Sequence, residues 1–189
     1  FKLRNKKRLS QGFTLVEALT ITIIIGVLAA VAAPGWFNFL QRQRLNAAQD
    51  QIFRALQQAK QKANQESTSW QVSFRENNNV VQWAVHPDRI DVSNVSSWKS
   101  LDSDLKVFTQ KNSEGKCETT FNKTDSSCPS SPWTVTFNNR GKPSQIGQFT
   151  LTTKNSNKPR VCVYVSTLLG TIRTGEYNSS PNSSNKLCY

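Results

Sequence analysis

The chain has 189 residues, of which 37% are hydrophobic, and carries a formal net charge of +12. A chain of that length is one ordinary domain or slightly more, and we expect one globular unit with a modest core once the N-terminal segment is set aside. Five of the positive charges lie within residues 1–12, so the rest of the chain carries +7, an excess that keeps a domain soluble or favours anionic partners.

The chain opens with a cluster of cations: Lys2, Arg4, Lys6, Lys7 and Arg8. It contains no methionine and begins with Phe1. We therefore expect translation of the gene product to start upstream of Phe1.

A long apolar run follows the cations, covering 13–33 with Glu17 as its single charge. At about 1.5 Å rise per residue, a helix of this length crosses a hydrocarbon core of about 30 Å. A cleavable secretory signal is the alternative, because 30–32 resembles a small-residue cleavage site, but the run exceeds the usual apolar length of such signals. A carboxylate at membrane depth costs about 2.5–3.5 kcal/mol unless it is paired or near the interface, and a disposable signal has no reason to carry that cost.

The helical period continues past the apolar run. Apolar residues recur every three or four positions: Leu45, Ala48, Ile52, Leu56, Ala59 and Ala63. Polar residues occupy the other faces, the pattern of a helix with one buried side. Pro34 and Gly35 predict a kink rather than an end, because helix-forming residues resume directly after them. We predict one long helix with a membrane half, 13–35, and an amphipathic half, 36–66.

After residue 69 the period changes to two, which is typical of strands. Strands are predicted at 70–74, 80–85, 133–137, 149–153, 161–165 and, more weakly, 171–173. Turn signals lie at 76–79, 139–141 and 155–157. The polar segment 88–131 predicts a long, partly ordered insertion, and 178–185 predicts a loose tail. The pattern indicates an α+β head, 67–189, in which the amphipathic half-helix packs on an antiparallel sheet.

The four cysteines all lie in the C-terminal part of the chain: Cys117, Cys128, Cys162 and Cys188. Their spacing lacks the close pairs of zinc sites, and the single histidine, His86, has no cysteine nearby, so we predict disulfides and no metal site. Three pairings are possible. Pairing in chain order, the first with the second and the third with the fourth, is favoured because it closes two short loops. Disulfides also indicate an oxidising compartment outside the cytoplasm.

No arrangement of catalytic residues is evident. One histidine cannot supply a triad without further assumptions, no glycine-rich phosphate loop is present, and the acidic residues lie in polar loops. We predict no enzymatic activity and no cofactor. Trp70, Trp83 and Trp133 lie on strand patterns, where core packing is favoured over a stacking platform for nucleic acid.

A short motif joins the basic leader to the apolar run: Gly12-Phe13-Thr14-Leu15-Val16-Glu17. It resembles the cleavage and methylation site of type IV prepilins and pseudopilins. The resemblance implies that a membrane-embedded prepilin peptidase cuts between Gly12 and Phe13, removes the leader 1–12 and methylates the new amine of Phe13. It also implies that Glu17 neutralises the N-terminal amine of a neighbouring subunit during assembly; the alternative is a glutamate that reaches the membrane interface.

Later segments resemble the minor-pilin family that contains the type II secretion pseudopilin GspH and the competence pilin FimT. They are 40–48, 56–63, 137–141, 163–166 and 170–173. The resemblance implies a type IV pilin-like fold and a minor pilin or pseudopilin of a type IV pilus or a type II secretion pseudopilus. It implies residence in the bacterial inner membrane with a single pass, followed by the periplasm or a cell-surface pilus. Partners would be the peptidase and other pilin or pseudopilin subunits.

FimT-like members bind DNA through a C-terminal glycine-arginine-any-arginine motif. Gly170 and Arg173 match it, whereas Thr171 replaces the first arginine. Further cations that would contact phosphates are Arg140, Lys142, Lys158 and Arg160. DNA binding for uptake is therefore the alternative function, and an ordinary membrane-anchored domain with an uncut N-terminus is the other rival.

Overall fold

The computed structural model describes residues 12–111, 115–122, 127–178, 180 and 187–189, and the predicted leader up to residue 11 lies outside that part. The chain forms two compact units, Phe1–Leu40 and Gln41–Tyr189. One helix, α1, Leu15–Glu66, contributes to both. It continues through residues 34 and 35, so the predicted kink is not a break in the helix.

The first unit contains the apolar part of α1. Leu15–Ala32 has a mean hydropathy of 2.4, none of it is buried, and by length and composition it is suited to cross a membrane. Thr20 and Thr22 donate their hydroxyl hydrogens to the carbonyls of Val16 and Leu19. These two hydroxyls are thus satisfied by the helix itself, as a hydrocarbon environment requires.

The second unit is built around the amphipathic half of α1. All six apolar positions predicted to face a core are buried, and Ala55 joins them. Four of these seven positions are alanines, and the other three are the fully buried Leu45, Ile52 and Leu56. The helix ends at Glu66, and Ser67 adopts a left-handed φ of 51°.

Eight strands follow α1: β1 Trp70–Asn77, β2 Val80–Pro87, β3 Lys99–Ser100, β4 Leu105–Val107, β5 Trp133–Phe137, β6 Gly147–Thr153, β7 Arg160–Val165 and β8 Ile172–Glu176. They form two antiparallel sheets, sheet A in the order β3-β2-β1-β5 and sheet B in the order β4-β6-β7-β8. The antiparallel α+β architecture is confirmed. A single sheet was expected, and periodicity could not reveal two because it identifies strands without their distant partners.

Aromatic side chains join the two sheets. Phe74 of β1 stacks on Phe149 of β6 with ring centroids 4.4 Å apart, and Trp133 meets Phe149 edge-on at 5.6 Å. Trp70, Trp83 and Trp133 are each 7% exposed or less. These tryptophans therefore belong to the core, as favoured from the sequence, and do not form an exposed stacking platform.

The segment 88–131 is more regular than its composition predicts. Its described part contains a short 3₁₀ helix, Val92–Asn94, capped by Asp91, and the two short strands β3 and β4. β3 and β4 lie at an edge of sheet A and sheet B, respectively. Strands of two and three residues are too short to show a period of two, so the sequence pattern missed them.

Two disulfides stabilise the head, Cys117–Cys128 and Cys162–Cys188, with Cα atoms 5.3 and 6.3 Å apart. They are the two pairs that chain order favoured. The second links β7 to the C-terminal residues, which pair with Tyr177 through an isolated bridge. Cross-links of this kind reduce the conformational freedom of the unfolded chain.

Candidate functional site

The N-terminal motif forms the start of α1. Thr14 is the residue before the helix, and its hydroxyl oxygen accepts a hydrogen bond from the backbone N–H of Glu17 at 3.3 Å. Thr14 and Glu17 have the threonine-any-any-glutamate spacing of a capping box. Sequence reasoning assigned no role to Thr14, although this spacing was the available signal.

Glu17 is exposed in the first turn of α1, and Phe13 is 72% exposed. A carboxylate in the first turn is stabilised by the unpaired N–H groups and the positive end of the helix dipole. The helix start thus presents an aromatic residue, a cap and a carboxylate on adjacent turns, all accessible to a partner.

A second group of candidate residues surrounds the C-terminal end of α1. The turn 138–142 follows β5, and the loop 166–171 joins β7 to β8. They are in contact: a Cβ at Gly170, where φ is +70°, would lie 2.7 Å from the carbonyl oxygen of Gly141. Glycine at 170 is therefore required by both the backbone conformation and the close approach.

Lys60 fixes the loop 166–171 to the helix. Its Nζ donates to the carbonyl oxygens of Leu169 and Gly170, both at 2.9 Å. The loop carries two highly exposed apolar side chains, Leu168 and Leu169. From the helical period, Lys60 was placed among the polar residues on the other faces of the helix, and nothing in that period distinguishes it from a solvated cation.

The structure divides the five candidate DNA-contacting cations between the two ends of β7. Arg140 and Lys142 are exposed in the turn 138–142, and Arg173 is exposed on β8 opposite Tyr164, close to the loop 166–171. Lys158 and Arg160 lie at the other end of β7, about 17 Å away at the usual rise of a strand. A single patch containing all five is not formed.

The Arg160 side chain is largely buried in the head. Its side chain is 10% exposed, forms an ion pair with Glu118, and lies over the rings of Phe108 and Tyr177 at 3.8 and 4.4 Å. Glu118 is 3% exposed, and burial raises its pKa while the Arg160 guanidinium opposes that rise. Burial and the Glu118 charge raise the pKa of Tyr177 as well. The predicted phosphate contact at Arg160 is thus replaced by a buried charge pair.

No group of three or more His, Cys, Asp or Glu side chains suited to a metal ion occurs within the described residues. His86 is buried in sheet A, where its Nε2 lies 2.8 Å from Ser73 Oγ and its Nδ1 lies 3.0 Å from the carbonyl oxygen of Pro87. These contacts satisfy both ring nitrogens within the fold.

A family model described as "Type II transport protein GspH" matches residues 48–169, which include residues 48–66 of α1 and most of the head. The chain belongs to this family. Family membership confirms the resemblance seen in the sequence. GspH-type chains are minor pilins or pseudopilins of type IV pili or type II secretion, and they are structural, non-enzymatic subunits. The apolar N-terminal helix suits membrane anchoring.

Two curated relatives show local similarity. "Type IV major fimbrial protein FimA" of Dichelobacter nodosus is 42% identical over 40 residues, 21% of this chain and 26% of that protein. "Fimbrial protein EcpC" of Eikenella corrodens is 38% identical over 42 residues, 22% of this chain and 28% of that protein. The chain thus spans about a quarter of the length of the curated relatives it matches.

Two solved structures also resemble the GspH-type chain. One is the type IV minor pilin FimU of Pseudomonas aeruginosa, with 12% identity, a TM-score of 0.47, and coverage of 71% of this chain and 90% of that one. The other is the minor pseudopilin EpsH from the type 2 secretion system of Vibrio cholerae, with 9% identity, a TM-score of 0.44, and coverage of 69% and 95%.

Proposed function

We propose that this chain is made as a precursor that prepilin peptidase cuts between Gly12 and Phe13, with methylation of the new Phe13 amine. The mature subunit then resides in the inner membrane and enters, or primes, a type IV pilus or a secretion pseudopilus. The observation that carries the proposal is α1. Within one helix, an exposed apolar segment with a single carboxylate precedes a face that forms the core of the head.

The Glu17 carboxylate sets the axial position of one subunit relative to its neighbour during assembly. Cleavage creates a positive amine at Phe13, four residues before Glu17. When subunit helices pack together away from water, an unpaired charge is costly, so a carboxylate that meets the amine of a neighbouring subunit favours one axial position. The exposed first turn of α1 leaves Glu17 accessible for that contact.

Mass spectrometry of the mature N-terminus tests processing. We expect a chain that begins at N-methylated Phe13, and we expect Gly12→Ala to be processed poorly. A mature chain cut after Ala32, or one that keeps its leader in cells containing the peptidase, would contradict the precursor proposal.

Subunit content of sheared filaments tests the carboxylate. Glu17→Ala and the uncharged, similarly shaped Glu17→Gln should both be processed normally yet be depleted from filaments. Thr22→Ala, a change in the same exposed segment, is the matched control and should be incorporated. Normal incorporation of both Glu17 variants would contradict the charge-pairing role.

DNA uptake is the second candidate function. Its support is the exposed group formed by Arg140, Lys142 and Arg173 near the loop 166–171. The test compares Arg173→Ala with Lys158→Ala, an equal charge loss at the other end of β7, by DNA anisotropy at fixed salt. Non-specific binding, on the order of 10⁻⁴–10⁻⁶ M, should fall equally and slightly in both variants. A large loss confined to Arg173→Ala would favour DNA binding over the structural role.

A further inference from the structure

Aromatic residues flank the apolar part of α1 and are missing from its interior. Residues 14–35 contain no Phe, Tyr or Trp, whereas Phe13 precedes them and Trp36, Phe37 and Phe39 follow. Each of the three that follow is between 57% and 65% exposed. Their position at the end of the apolar run, and not within it, is what requires explanation.

The angular spread of these side chains argues against a packing stripe. Trp36 and Phe39 share a face, with ring centroids 6.0 Å apart, while Phe37 lies about 100° around the helix from Trp36. A helix that buries one face repeats apolar residues three or four positions apart for several turns. These three bulky rings cover about 160° of a single turn and do not repeat along the helix, which suits contact with lipid better than burial against one partner surface.

The length of the intervening helix matches a bilayer. Leu15 to Trp36 is 21 steps of helix, or about 32 Å, against a hydrocarbon thickness of about 30 Å. Trp36 combines an apolar ring with a polar N–H and favours the boundary between acyl chains and headgroups. Phe37 and Phe39 are wholly apolar, and such rings bury into the acyl side of the same boundary. In the sequence, the exposed Arg42 follows these aromatic residues, as expected for a cation that reaches lipid phosphates from the water side.

We propose that Trp36, Phe37 and Phe39 form an interfacial belt that sets the depth of α1 in the bilayer before assembly. This inference rests on the proposed function, in which the subunit resides in the membrane, and it adds the depth at which α1 lies in the bilayer. The belt lies at the outer interface, because the basic residues before α1 favour the cytoplasmic side.

The belt also places Glu17. Glu17 and Trp36 are 19 residues apart, about 28 Å along the helix, so Glu17 lies near the opposite interface when the belt is at the outer one. A carboxylate at that depth avoids most of the penalty of about 2.5–3.5 kcal/mol that applies at the bilayer centre. The aromatic belt therefore keeps the membrane-resident subunit from burying an unpaired charge.

Depth-dependent fluorescence quenching tests the belt. The full chain is reconstituted into phosphatidylethanolamine–phosphatidylglycerol vesicles that contain lipid brominated either near the ester carbonyls or near the chain ends. Subtracting the emission of Trp36→Phe from that of the wild type isolates Trp36 from the other tryptophans. Because Trp36 is exposed, this substitution leaves the core of the head intact.

We expect a greater loss of Trp36 emission with bromine near the carbonyls than with bromine near the chain ends. Leu28→Trp in the Trp36→Phe background, about 12 Å deeper, is the matched control and should show the opposite order. Stronger quenching of Trp36 by bromine near the chain ends would overturn the belt. Absence of quenching by either lipid would also overturn it and would indicate that a neighbouring protein contacts the aromatic side chains.

Vesicle flotation separates this inference from the function on which it rests. If the chain floats with the vesicles but Trp36 shows the wrong depth, the belt is refuted and membrane residence stands. If the chain does not float with vesicles at all, both the belt and the membrane residence of the proposed function are refuted.

Discussion

The buried pair of Arg160 and Glu118 offers a strong test of how the head is held together. Arg160→Met removes the guanidinium but keeps an unbranched side chain that can still cover Phe108 and Tyr177. Glu118 would then remain 3% exposed with a charge and no cation beside it. Its second oxygen, Oε2, already lacks a hydrogen-bond partner within the described part of the chain.

Breaking one side of a buried ion pair typically costs about 3–5 kcal/mol, because the remaining charge is uncompensated. Domains of this size are stabilised by about 5–15 kcal/mol in total, so we expect Arg160→Met to lower the free energy of unfolding by a large fraction. Replacing both charges leaves no unpaired group. Glu118→Gln with Arg160→Met should therefore recover much of the loss.

The loss should also depend on pH. Burial raises the pKa of Glu118, so the folded state holds that proton more tightly than the unfolded state, and ionisation lowers stability as pH rises through the raised pKa. Without Arg160, which lowers this pKa, the effect grows. The defect of Arg160→Met should thus be smaller at pH about 5 than at pH about 7.

Urea denaturation of the oxidised head, Gln41–Tyr189, measures all four variants of the cycle: wild type, each single change and the double change. Exposed ion pairs contribute at most about 1 kcal/mol to stability. A smaller loss than that for Arg160→Met at neutral pH would show that burial does not make the Arg160–Glu118 pair important for folding. A double variant no more stable than Arg160→Met would refute the role of the unpaired carboxylate.

Three further predictions concern the rest of the head. Lys60→Met, which removes two hydrogen bonds to a loop, should cost about 1–2 kcal/mol and speed hydrogen exchange in that loop, whereas Arg54→Met on an exposed face should do neither. Gly170→Ala should cost about 1–3 kcal/mol more in thermal unfolding than Gly115→Ala, which has a similar φ but open space around it. Each disulfide should contribute about 2–4 kcal/mol, and four free thiols in the unreduced head would contradict both bonds.

Local periodicity predicted the elements of this fold better than their arrangement. The core face of α1 was evident because Leu45, Ile52 and Leu56 repeat with the period of a helix, and each is fully buried. Hairpin β1–β2 was evident because its strands alternate around Asn78 and Asn79, both with positive φ. Such signals lie within a few residues of one another.

Pairings between distant segments were not evident. β4 joins β6 across more than 40 residues, and Leu105 pairs with Thr153 through backbone groups that every residue possesses. Glu118 and Arg160 are likewise brought together from 42 positions apart. The sequence around Glu118 and around Arg160 shows no local sign of burial. Both were therefore taken to be exposed charged residues, whereas the fold places them inside.

The loop 166–171 shows how this difference affects the functional alternative. Gly170 was one of two residues that matched the DNA-binding motif, but its left-handed φ and its close approach to the Gly141 carbonyl explain glycine there without any ligand. Arg160, another candidate, is explained by Glu118. The exposed candidates near this loop for the proposed DNA contact are Arg173, Arg140 and Lys142. Binding measurements on Gly170 or Arg160 variants would mainly report a disturbed head, so Arg173 is the position at which structural and DNA-binding functions are properly separated.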